Sequence, residues 1–407
     1  MTNREHAEGA GREKMQPLRV LAADDSAVMR GVMRTVFDLH ANDSARSSLP
    51  RMELCGLVRD GVEALEAVRT LKPDVLLLDL EMPRMNGLKV LEELRRVAPH
   101  LPVIMCSGHT ERGARSTLDA LALGAKDYVM KPGQQKDFAA ALDTLMEQLL
   151  PKIAELTGWN QTAPAERRTE IRLPAPARVG LPARGGTNAV ELVAIGVSTG
   201  GPSALEQMLP MLPRDFAVPV MIVQHMPRLF TGALAERLRG LCRMPVEEAR
   251  DGMRVEPGRI LIAPGDAHME VVSGVGRGRA VRLHKGLALN SCMPSVDYLF
   301  RSAATLCGGG TLALVMTGMG SDGLDGARAV RESGGTVLAQ DEATSAVWGM
   351  PGRVVMDGLA SATVPLGALA GELLQRVQAG RIPSVLGAAM AGRGGGEARR
   401  EVSYGLL

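Results

Sequence analysis

Three polar side chains in the C-terminal half of the chain each come just after a short apolar run that is typical of a strand. They are Ser198, His225 and Asp322. In a parallel sheet the carboxyl ends of the strands meet at one edge, so these side chains would lie close together. His225 could then take the Ser198 proton, while Asp322 would fix the imidazole tautomer and stabilise its charged form. The spacing therefore predicts a nucleophilic site for acyl transfer.

The segment around Ser198 reads GVSTGGP and lies between an apolar run and a helical pattern. A strand that turns sharply into a helix places Ser198 beside free backbone N–H groups, which can stabilise an oxyanion. The letters also match the GxSxG nucleophile elbow. Taken alone, the motif slightly favours a structural interpretation instead. In that interpretation Ser198 or Thr199 caps the helix, Pro202 starts it, and Ser203 and Glu206 form a capping box.

Two related functions are disfavoured by the same segment. The order Ser–His–Asp differs from that of the α/β-hydrolases, and the sequence has no HGGG-type segment, which argues against a lipase-like enzyme. GVSTGG also lacks the GxGxxG spacing and the ribose-binding acid of a dinucleotide site. Two further histidines, His268 and His284, lie in or next to a predicted hairpin, so we expect them to be structural or exposed.

A second polar set occurs in the first 150 residues, again at the ends of apolar runs. Asp24 and Asp25 close the first run, Asp79 lies near the end of the third, Ser107 ends the fourth, and Lys131 ends the fifth. Three converging carboxylates would repel one another unless a cation such as Mg²⁺ joined them. A lysine and a hydroxyl beside them could hold phosphoryl oxygens. Helix capping alone would explain one such acid but poorly explains the whole set.

The elements that position the second set alternate between strand and helix from residue 17 to residue 150. This pattern predicts an α/β domain with five βα units in a small doubly wound parallel sheet. The predicted strands are 19–23, 52–58, 75–80, 103–107 and 127–130. The predicted helices include 27–39, 60–71, 87–96 and 135–150.

The alternation resumes from residue 189 to about residue 380, which predicts a second α/β domain, mostly parallel with an antiparallel part. Its predicted strands are 192–197, 218–223, 259–263, 280–283, 311–316 and 336–339, with a hairpin that pairs 268–273 with 280–284. Its predicted helices include 203–209, 229–241, 294–306 and 325–332. Residues 151–188 hold five prolines and little apolar pattern, which predicts a linker. Residues 1–16 and 381–407 are predicted to be a disordered extension and tail.

Composition excludes several classes of protein. The 407 residues carry a net charge of +2 and only 2% aromatic residues, which argues against nucleic-acid binding, and we find no helix-turn-helix pattern. The five cysteines are scattered without zinc-like spacing, and none of the apolar runs has the length of a membrane span. We therefore expect a cytoplasmic protein with neither direct membrane insertion nor a nucleic-acid partner.

The N-terminal polar set resembles the receiver domain of bacterial two-component response regulators, with its acidic pair, its lone aspartate in LLLDLEMPRMNG and its Lys-Pro. The resemblance implies a flavodoxin-like fold in which Asp79 accepts a phosphoryl group. It implies that Mg²⁺ is held by Asp24, Asp25, Asp79 and the carbonyl of Glu81, that Ser107 and Lys131 contact the phosphoryl oxygens, and that Tyr128 is the switch aromatic. Residues 40–50 depart from the pattern and are predicted to be a surface insertion.

The segments IGVSTGGP, IVQHMP, APGD, SCMPSVDYLF, TGMGSDG and AQDEATSAVWGMP resemble the catalytic domain of chemotaxis-type protein-glutamate methylesterases. The receiver–linker–esterase order is also that family's layout. The resemblance implies that Ser198 is the nucleophile, His225 the general base and Asp322 the orienting acid. It places Thr199 and the backbone around Met319 near the oxyanion. Met293 stands where the family usually has a basic residue, so substrate preference could differ.

By this resemblance the chain is a phosphorylation-activated serine hydrolase that removes γ-methyl esters from receptor glutamates, and the family often deamidates receptor glutamines as well. It implies two partners, the methylated cytoplasmic helices of a chemoreceptor and a chemotaxis-type histidine kinase, and no cofactor for ester hydrolysis. The alternative is a non-catalytic, phosphorylation-switched binding module with a degenerate esterase domain. The intact Ser198, His225 and Asp322 argue against that alternative.

Overall fold

The computed structural model describes residues 16–43, 48–132, 138–159, 189–276 and 278–379. Nearly all of the predicted N-terminal extension, most of the predicted linker, part of the 40–50 insertion and the whole predicted C-terminal tail lie outside these residues. The described residues form two α/β units that pack against each other. Among their helices, none combines the length and the apolar character needed to cross a bilayer.

The N-terminal unit has the predicted five-stranded parallel sheet, and its strand order is β2-β1-β3-β4-β5. Its elements are β1 (Leu18–Ala23), α1 (Ala27–Asp43), β2 (Met52–Val58), α2 (Gly61–Leu71), β3 (Val75–Asp79), α3 (Gly87–Val97), β4 (Val103–Ser107), α4 (Glu111–Ala122), β5 (Asp127–Met130) and α5 (Phe138–Leu156). Strands β3 and β4 are buried along their whole length, as their apolar sequences require of central strands. Their last residues, Asp79 and Ser107, therefore reach the ligand-binding edge of the sheet.

Helix α5 extends six residues beyond the predicted start of the linker and ends at Leu156. Pro151 lies inside it and removes one helical hydrogen bond, which disfavours the continuation. Leu149, Ile153 and Ala154 are fully buried against the sheet, and this apolar burial outweighs that cost. Trp159 packs against the same core. The proline was a misleading stop signal because the apolar spacing continues across it.

The C-terminal unit has a seven-stranded sheet in the order β14-β13-β12-β6-β7-β9-β8, and every pair in it is parallel. Its sheet strands are β6 (Leu192–Val197), β7 (Val220–Gln224), β8 (Val246–Glu248), β9 (Ile260–Ile262), β12 (Thr311–Val315), β13 (Thr336–Gln340) and β14 (Ala362–Val364). The predicted antiparallel part is a separate two-stranded sheet of β10 (His268–Ser273) and β11 (Arg279–His284). The two edge strands β8 and β14 were missed because three residues carry too little pattern.

Six helices of this unit cover the two faces of the seven-stranded sheet. They are α6 (Gly201–Met208), α7 (Arg228–Leu241), α8 (Val296–Cys307), α9 (Leu324–Glu332), α10 (Gly349–Met356) and α11 (Leu366–Ala379). Helix α4 of the N-terminal unit packs against α6 and α7, so one apolar cluster contains residues of both units. Strand β6 lies between β7 and β12 in the sheet, which brings the ends of these three strands side by side.

The extension of α5 gives a test of stability. Ile153→Ala should lower the free energy of unfolding of the N-terminal unit by about 2–4 kcal/mol, because it leaves a cavity in a closed core. Trp159 fluorescence in a Trp348→Phe background reports denaturant unfolding of this unit, since the chain has two tryptophans. Glu147→Ala, at an exposed position of the same helix, is the control and should change it by less than about 0.5 kcal/mol. Equal effects would place Ile153 outside the core.

Candidate active site

The turn that carries Ser198 depends on two glycines. A Cβ at Gly196 would lie 2.4 Å from a methyl carbon of Val296, so only glycine lets α8 approach β6 this closely. Gly200 has φ 76°, a left-handed conformation that favours glycine, and it is the N-cap of α6 without a side-chain hydrogen bond. Pro202 lies in the first turn of α6, as the structural interpretation predicted, but neither Ser198 nor Thr199 caps the helix, so the capping part of that interpretation is wrong. Ser198 is therefore free for another role.

The predicted capping box is also absent from the helix start. Ser203 Oγ donates a hydrogen bond to the Leu121 carbonyl in the N-terminal unit, at 2.9 Å. The Glu206 carboxylate accepts one from Arg237 Nε at 2.6 Å. These two side chains serve packing between helices and units instead of the first turn of α6.

His225 and Asp322 form the hydrogen-bonded pair that the sequence predicts. His225 Nε2 lies 2.8 Å from Asp322 Oδ2. The buried Asp322 carboxylate also accepts hydrogen bonds from the Ser295 hydroxyl and the Val296 N–H at the start of α8, both at 2.7 Å. The neighbouring Gln224 amide donates to the Ser198 carbonyl at 2.9 Å and so links the β7 end to the serine turn. Asp322 is thus held in place by the start of α8 as well as by the imidazole that it orients.

The pair is strongly polarised. Burial disfavours a charged His225, but the hydrogen bond to Asp322 outweighs it, and with contributions from Cys292 the pKa of His225 rises to about 10. Burial works against the charged Asp322, yet the hydrogen bond from His225 and those from Ser295 and Val296 hold its pKa below the usual range. At neutral pH this arrangement is an imidazolium–carboxylate pair, which must lose a proton before His225 can act as a base.

Ser198 and His225 line one small closed space at the carboxyl edge of the sheet. Within the described part of the chain the Ser198 hydroxyl makes no hydrogen bond, and its backbone N–H is held by the Thr317 carbonyl. Because Asp322 occupies Nε2, Nδ1 is the ring nitrogen available to a nucleophile. Among the described residues, the backbone N–H groups of Thr199 and Met319 donate no hydrogen bonds, which leaves them available for an oxyanion.

The second polar set comes together at the edge of the five-stranded sheet. Lys131 Nζ lies 2.8 Å from carboxylate oxygens of both Asp24 and Asp79. Oxygens of Asp24, Asp25 and Asp79 lie within 4.8 Å of one another, a spacing and donor chemistry that fit Mg²⁺. Burial raises the pKa of Asp79 to about 6, although Lys131 opposes the rise. A bound cation would offset that cost of burial.

Ser107 and Tyr128 contact residues outside this cluster of carboxylates and lysine. The buried Ser107 Oγ accepts a hydrogen bond from Thr117 Oγ1 at 2.8 Å, so in this conformation it is held by α4. The buried Tyr128 ring stacks on Phe230 in the first turn of α7, with centroids 4.5 Å apart and planes 9° from parallel. The predicted switch aromatic thus contacts the helix that follows His225.

The N-terminal unit covers the serine turn directly. The Thr199 hydroxyl, next to Ser198, donates to Asp127 Oδ2 at 2.6 Å. Lys152 Nζ holds the other oxygen of Asp127 at 2.9 Å and the Tyr128 carbonyl at 2.8 Å. Asp127, Tyr128 and Lys152 also line the closed space that contains Ser198.

Several residues of the site were not singled out from the sequence. They are Asp127, Gln224, Phe230, Cys292 and Ser295. Ser295 could have been found as the N-cap signal ahead of α8. The others act through contacts between distant segments, for which a single sequence carries no signal. His268 is structural, as expected, and its Nδ1 accepts a hydrogen bond from the Ser295 N–H at 3.1 Å.

Both units of the chain match known protein families. Residues 20–143 match the response regulator receiver domain model, and residues 193–373 match the CheB methylesterase model. A protein-glutamate methylesterase/protein-glutamine glutaminase of Trichodesmium erythraeum is 41% identical over 371 residues, which cover 89% of this chain and 100% of that protein. One from a Nocardioides species is 42% identical over 363 residues, covering 89% and 96%. The chain belongs to the protein-glutamate methylesterase/protein-glutamine glutaminase family.

Two solved structures of Thermotoga maritima are also similar. Its CheB methylesterase catalytic domain is 40% identical, with a TM-score of 0.45, and the match covers 46% of this chain and 98% of that one. Its CheB response regulator domain is 37% identical, with a TM-score of 0.30, and the match covers 37% of this chain and 100% of that one.

The His225–Asp322 pair predicts a pH dependence. Because the pKa of His225 is raised and that of Asp322 is lowered, the pair should contribute its stability in full between about pH 4 and pH 6.5. The contribution should be lost as the pH rises through about 10, and also as the pH falls through the lowered pKa of Asp322. Asp322→Asn should return the pKa of His225 toward about 6.5, measured by NMR titration of the imidazole, and should lower kcat by about 10³–10⁴-fold. Asp325→Asn, at an exposed acid of α9, is the control and should change neither. An unchanged pKa in Asp322→Asn would show that Asp322 does not polarise the ring.

Proposed function

We propose that this chain hydrolyses γ-methyl esters on the glutamates of a chemoreceptor, with Ser198 as nucleophile, His225 as general base and Asp322 as the orienting acid. The observation that carries the proposal is the His225–Asp322 hydrogen bond of 2.8 Å beside a serine whose hydroxyl is uncommitted. Deamidation of receptor glutamines by the same residues is the second activity that the family name suggests for this chain.

The chemistry follows from the positions of the three side chains. Once neutral, His225 accepts the Ser198 proton at Nδ1, and Oγ attacks the ester carbonyl. The backbone N–H groups of Thr199 and Met319 face the developing oxyanion in this proposal. His225 then protonates the leaving methanol and activates the water that hydrolyses the acyl-enzyme. Asp322 stabilises the imidazolium throughout.

The N-terminal unit would regulate the esterase as a phosphorylated receiver. Asp79 is the proposed acceptor, with Lys131 beside it to hold the phosphoryl oxygens. Mg²⁺, held by Asp24, Asp25 and Asp79, would neutralise the charge of the incoming phosphoryl group. The phosphodonor we propose is a chemotaxis-type histidine kinase, and the substrate is the cytoplasmic helical part of a methylated receptor.

Regulation would act through the contacts that cover Ser198. Phosphorylation of Asp79 adds nearly two negative charges, which would draw Ser107 away from Thr117. The space that this movement leaves admits Tyr128, and its inward rotation would break the stack on Phe230. Because interfaces between domains of one chain are often marginal, such a local change can bias a docked–undocked equilibrium.

The nucleophile is tested by its removal. Ser198→Ala should lower methanol release from methylated receptor at least about a thousandfold, because triad members act as a unit. Its free energy of unfolding should change by less than about 0.5 kcal/mol, since the hydroxyl makes no hydrogen bond among the described residues. Thr305→Ala, which removes an exposed hydroxyl from α8, is the control and should keep full activity. Wild-type methanol release from Ser198→Ala would disprove the assignment.

Phosphorylation is tested separately from hydrolysis. A small phosphodonor such as phosphoramidate should phosphorylate the chain only when Mg²⁺ is present, and Asp79→Asn should abolish the labelling. Glu93→Ala, at an exposed acid of α3, should be labelled normally. Labelling of Asp79→Asn at the wild-type level would mean that another residue is the acceptor.

Covering of the site by the receiver predicts which variants are constitutively active. Asp127→Ala removes the hydrogen bond from Thr199 and the ion pair with Lys152, so unphosphorylated protein should release methanol several-fold faster than wild type. Phosphoramidate should then accelerate Asp127→Ala less than it accelerates wild type. Glu93→Ala is again the matched control, because its carboxylate lies away from the interface. A basal rate unchanged in Asp127→Ala would argue that these contacts do not restrain the enzyme.

A further inference from the structure

Cys292 lies beside the catalytic imidazole, and neither the triad nor the receiver uses it. Its Sγ is 3.7 Å from His225 Nδ1, and His225 Nε2 is 2.8 Å from Asp322. The two ring nitrogens therefore face a thiol on one side and a carboxylate on the other. This is the arrangement of a thiol nucleophile with a histidine base and an orienting acid.

The loop that carries Cys292 holds the thiol in place. Asn290 and Ser291 both have left-handed backbones, with φ of 51° and 61°. This tight turn is closed by a hydrogen bond of 2.8 Å from the Cys292 N–H to the Leu289 carbonyl. The thiol has a second acceptor within the loop, the Asn290 carbonyl at 3.3 Å. Cys292 is half-buried and does not line the closed space behind the receiver, so reagents can reach it.

The other cysteines lack this environment. Cys106 and Cys307 are buried, and burial raises the pKa of Cys106 to about 12. Cys242 is half-buried like Cys292, but burial raises its pKa to about 11 and it has no imidazole within hydrogen-bonding distance among the described residues. Cys242 is therefore a matched internal control for accessibility without activation.

Given the proposed roles of Ser198 and His225, we propose that Cys292 is a second nucleophile of the site. It would accept acyl groups from activated acyl donors such as thioesters and aryl esters. Once His225 is neutral, the Sγ–H proton moves to its Nδ1, and Sγ attacks the donor carbonyl. The bond to the leaving thiol or phenol breaks as that group takes the proton from Nδ1, which leaves an S-acyl Cys292. The proton and leaving group balance, and the step needs no redox partner.

Acylation of Cys292 would also stop ester hydrolysis. Ser198 needs Nδ1, because Asp322 holds Nε2, and an acyl group on a sulfur 3.7 Å from Nδ1 occupies that approach. The oxyanion donors lie beside Ser198, so Cys292 depends on a donor with a good leaving group.

The test uses full-length Ser198→Ala with Mg²⁺ and phosphoramidate, so that the receiver cannot be the reason for a lack of reaction. With p-nitrophenyl acetate, peptide mass spectrometry should find acetyl on Cys292 at least tenfold faster than on Cys242. The label should be removed by hydroxylamine. The protein is first treated with a chelator, which is removed before Mg²⁺ is added, because His225, Cys292 and Asp322 ligand atoms lie within 4.8 Å of one another and a thiophilic metal would mask the thiol.

Two variants separate activation from simple exposure. Adding His225→Gln should slow acetylation of Cys292 at least tenfold while Cys242 keeps its rate, and adding Cys292→Ser should abolish the fast label. Labelling of Cys292 at the rate of Cys242, or fast labelling that survives His225→Gln, would overturn the proposal. A failure of this kind would leave the role of Ser198 untouched, because methanol release by wild type and by Ser198→Ala is measured without p-nitrophenyl acetate.

The consequence for the esterase has its own readout. Iodoacetamide treatment of the wild-type protein should lower methanol release more than tenfold once Cys292 is fully alkylated. The ratio of treated to untreated activity should stay near one in Cys292→Ser. Full alkylation of Cys292 with unchanged methanol release would overturn the claim that the two nucleophiles share the approach to His225.

Discussion

The buried carboxylate of Asp322 is the interaction on which the catalytic unit depends. It accepts hydrogen bonds from the His225 ring, the Ser295 hydroxyl and the Val296 N–H, and so ties the ends of β7 and β12 to the start of α8. A buried charge is costly unless such donors surround it. The donors come from segments distant in sequence, which meet only because β6 lies between β7 and β12. The strand order that defines the fold therefore also brings His225 and Asp322 together.

The contact between the two units also depends on a small number of interactions. Thr199, which follows the proposed nucleophile, donates a hydrogen bond to Asp127, and Tyr128, which follows Asp127, stacks on Phe230. These two contacts lie on a shared apolar cluster, while the ion pairs of Arg237 with Asp119 and Arg115 with Glu236 lie nearer solvent and contribute little. The contacts between the units that lie nearest to Ser198 are therefore few and are grouped at the β5 end.

Much of this arrangement could be predicted from the sequence, for identifiable physical reasons. Apolar runs followed by Ser198, His225 and Asp79 predicted the strands, because parallel strands must be buried. They also predicted that these polar side chains lie at the edge of a sheet, because the carboxyl ends of parallel strands meet there. The end of α5 was wrong, since Pro151 masked an apolar spacing that continues to Ile153. The contact between Thr199 and Asp127 was beyond reach, because it joins residues 72 apart across two units. A pattern of types along one chain does not encode such pairings.

The close approach of Gly196 to Val296 changes how mutational data on this protein should be interpreted. Gly196 has no side chain to offer the chemistry, yet an alanine there would push back the start of α8, whose Val296 N–H holds Asp322, the proposed orienting acid. In a survey of variants, a substitution of Gly196 would lose activity just as substitutions of Ser198 and His225 would. Loss of function at this edge is therefore a poor guide to which residues touch substrate. Titration of the His225 ring separates the two cases. A displaced α8 would change the pKa of His225, whereas loss of the Ser198 hydroxyl would leave it unchanged.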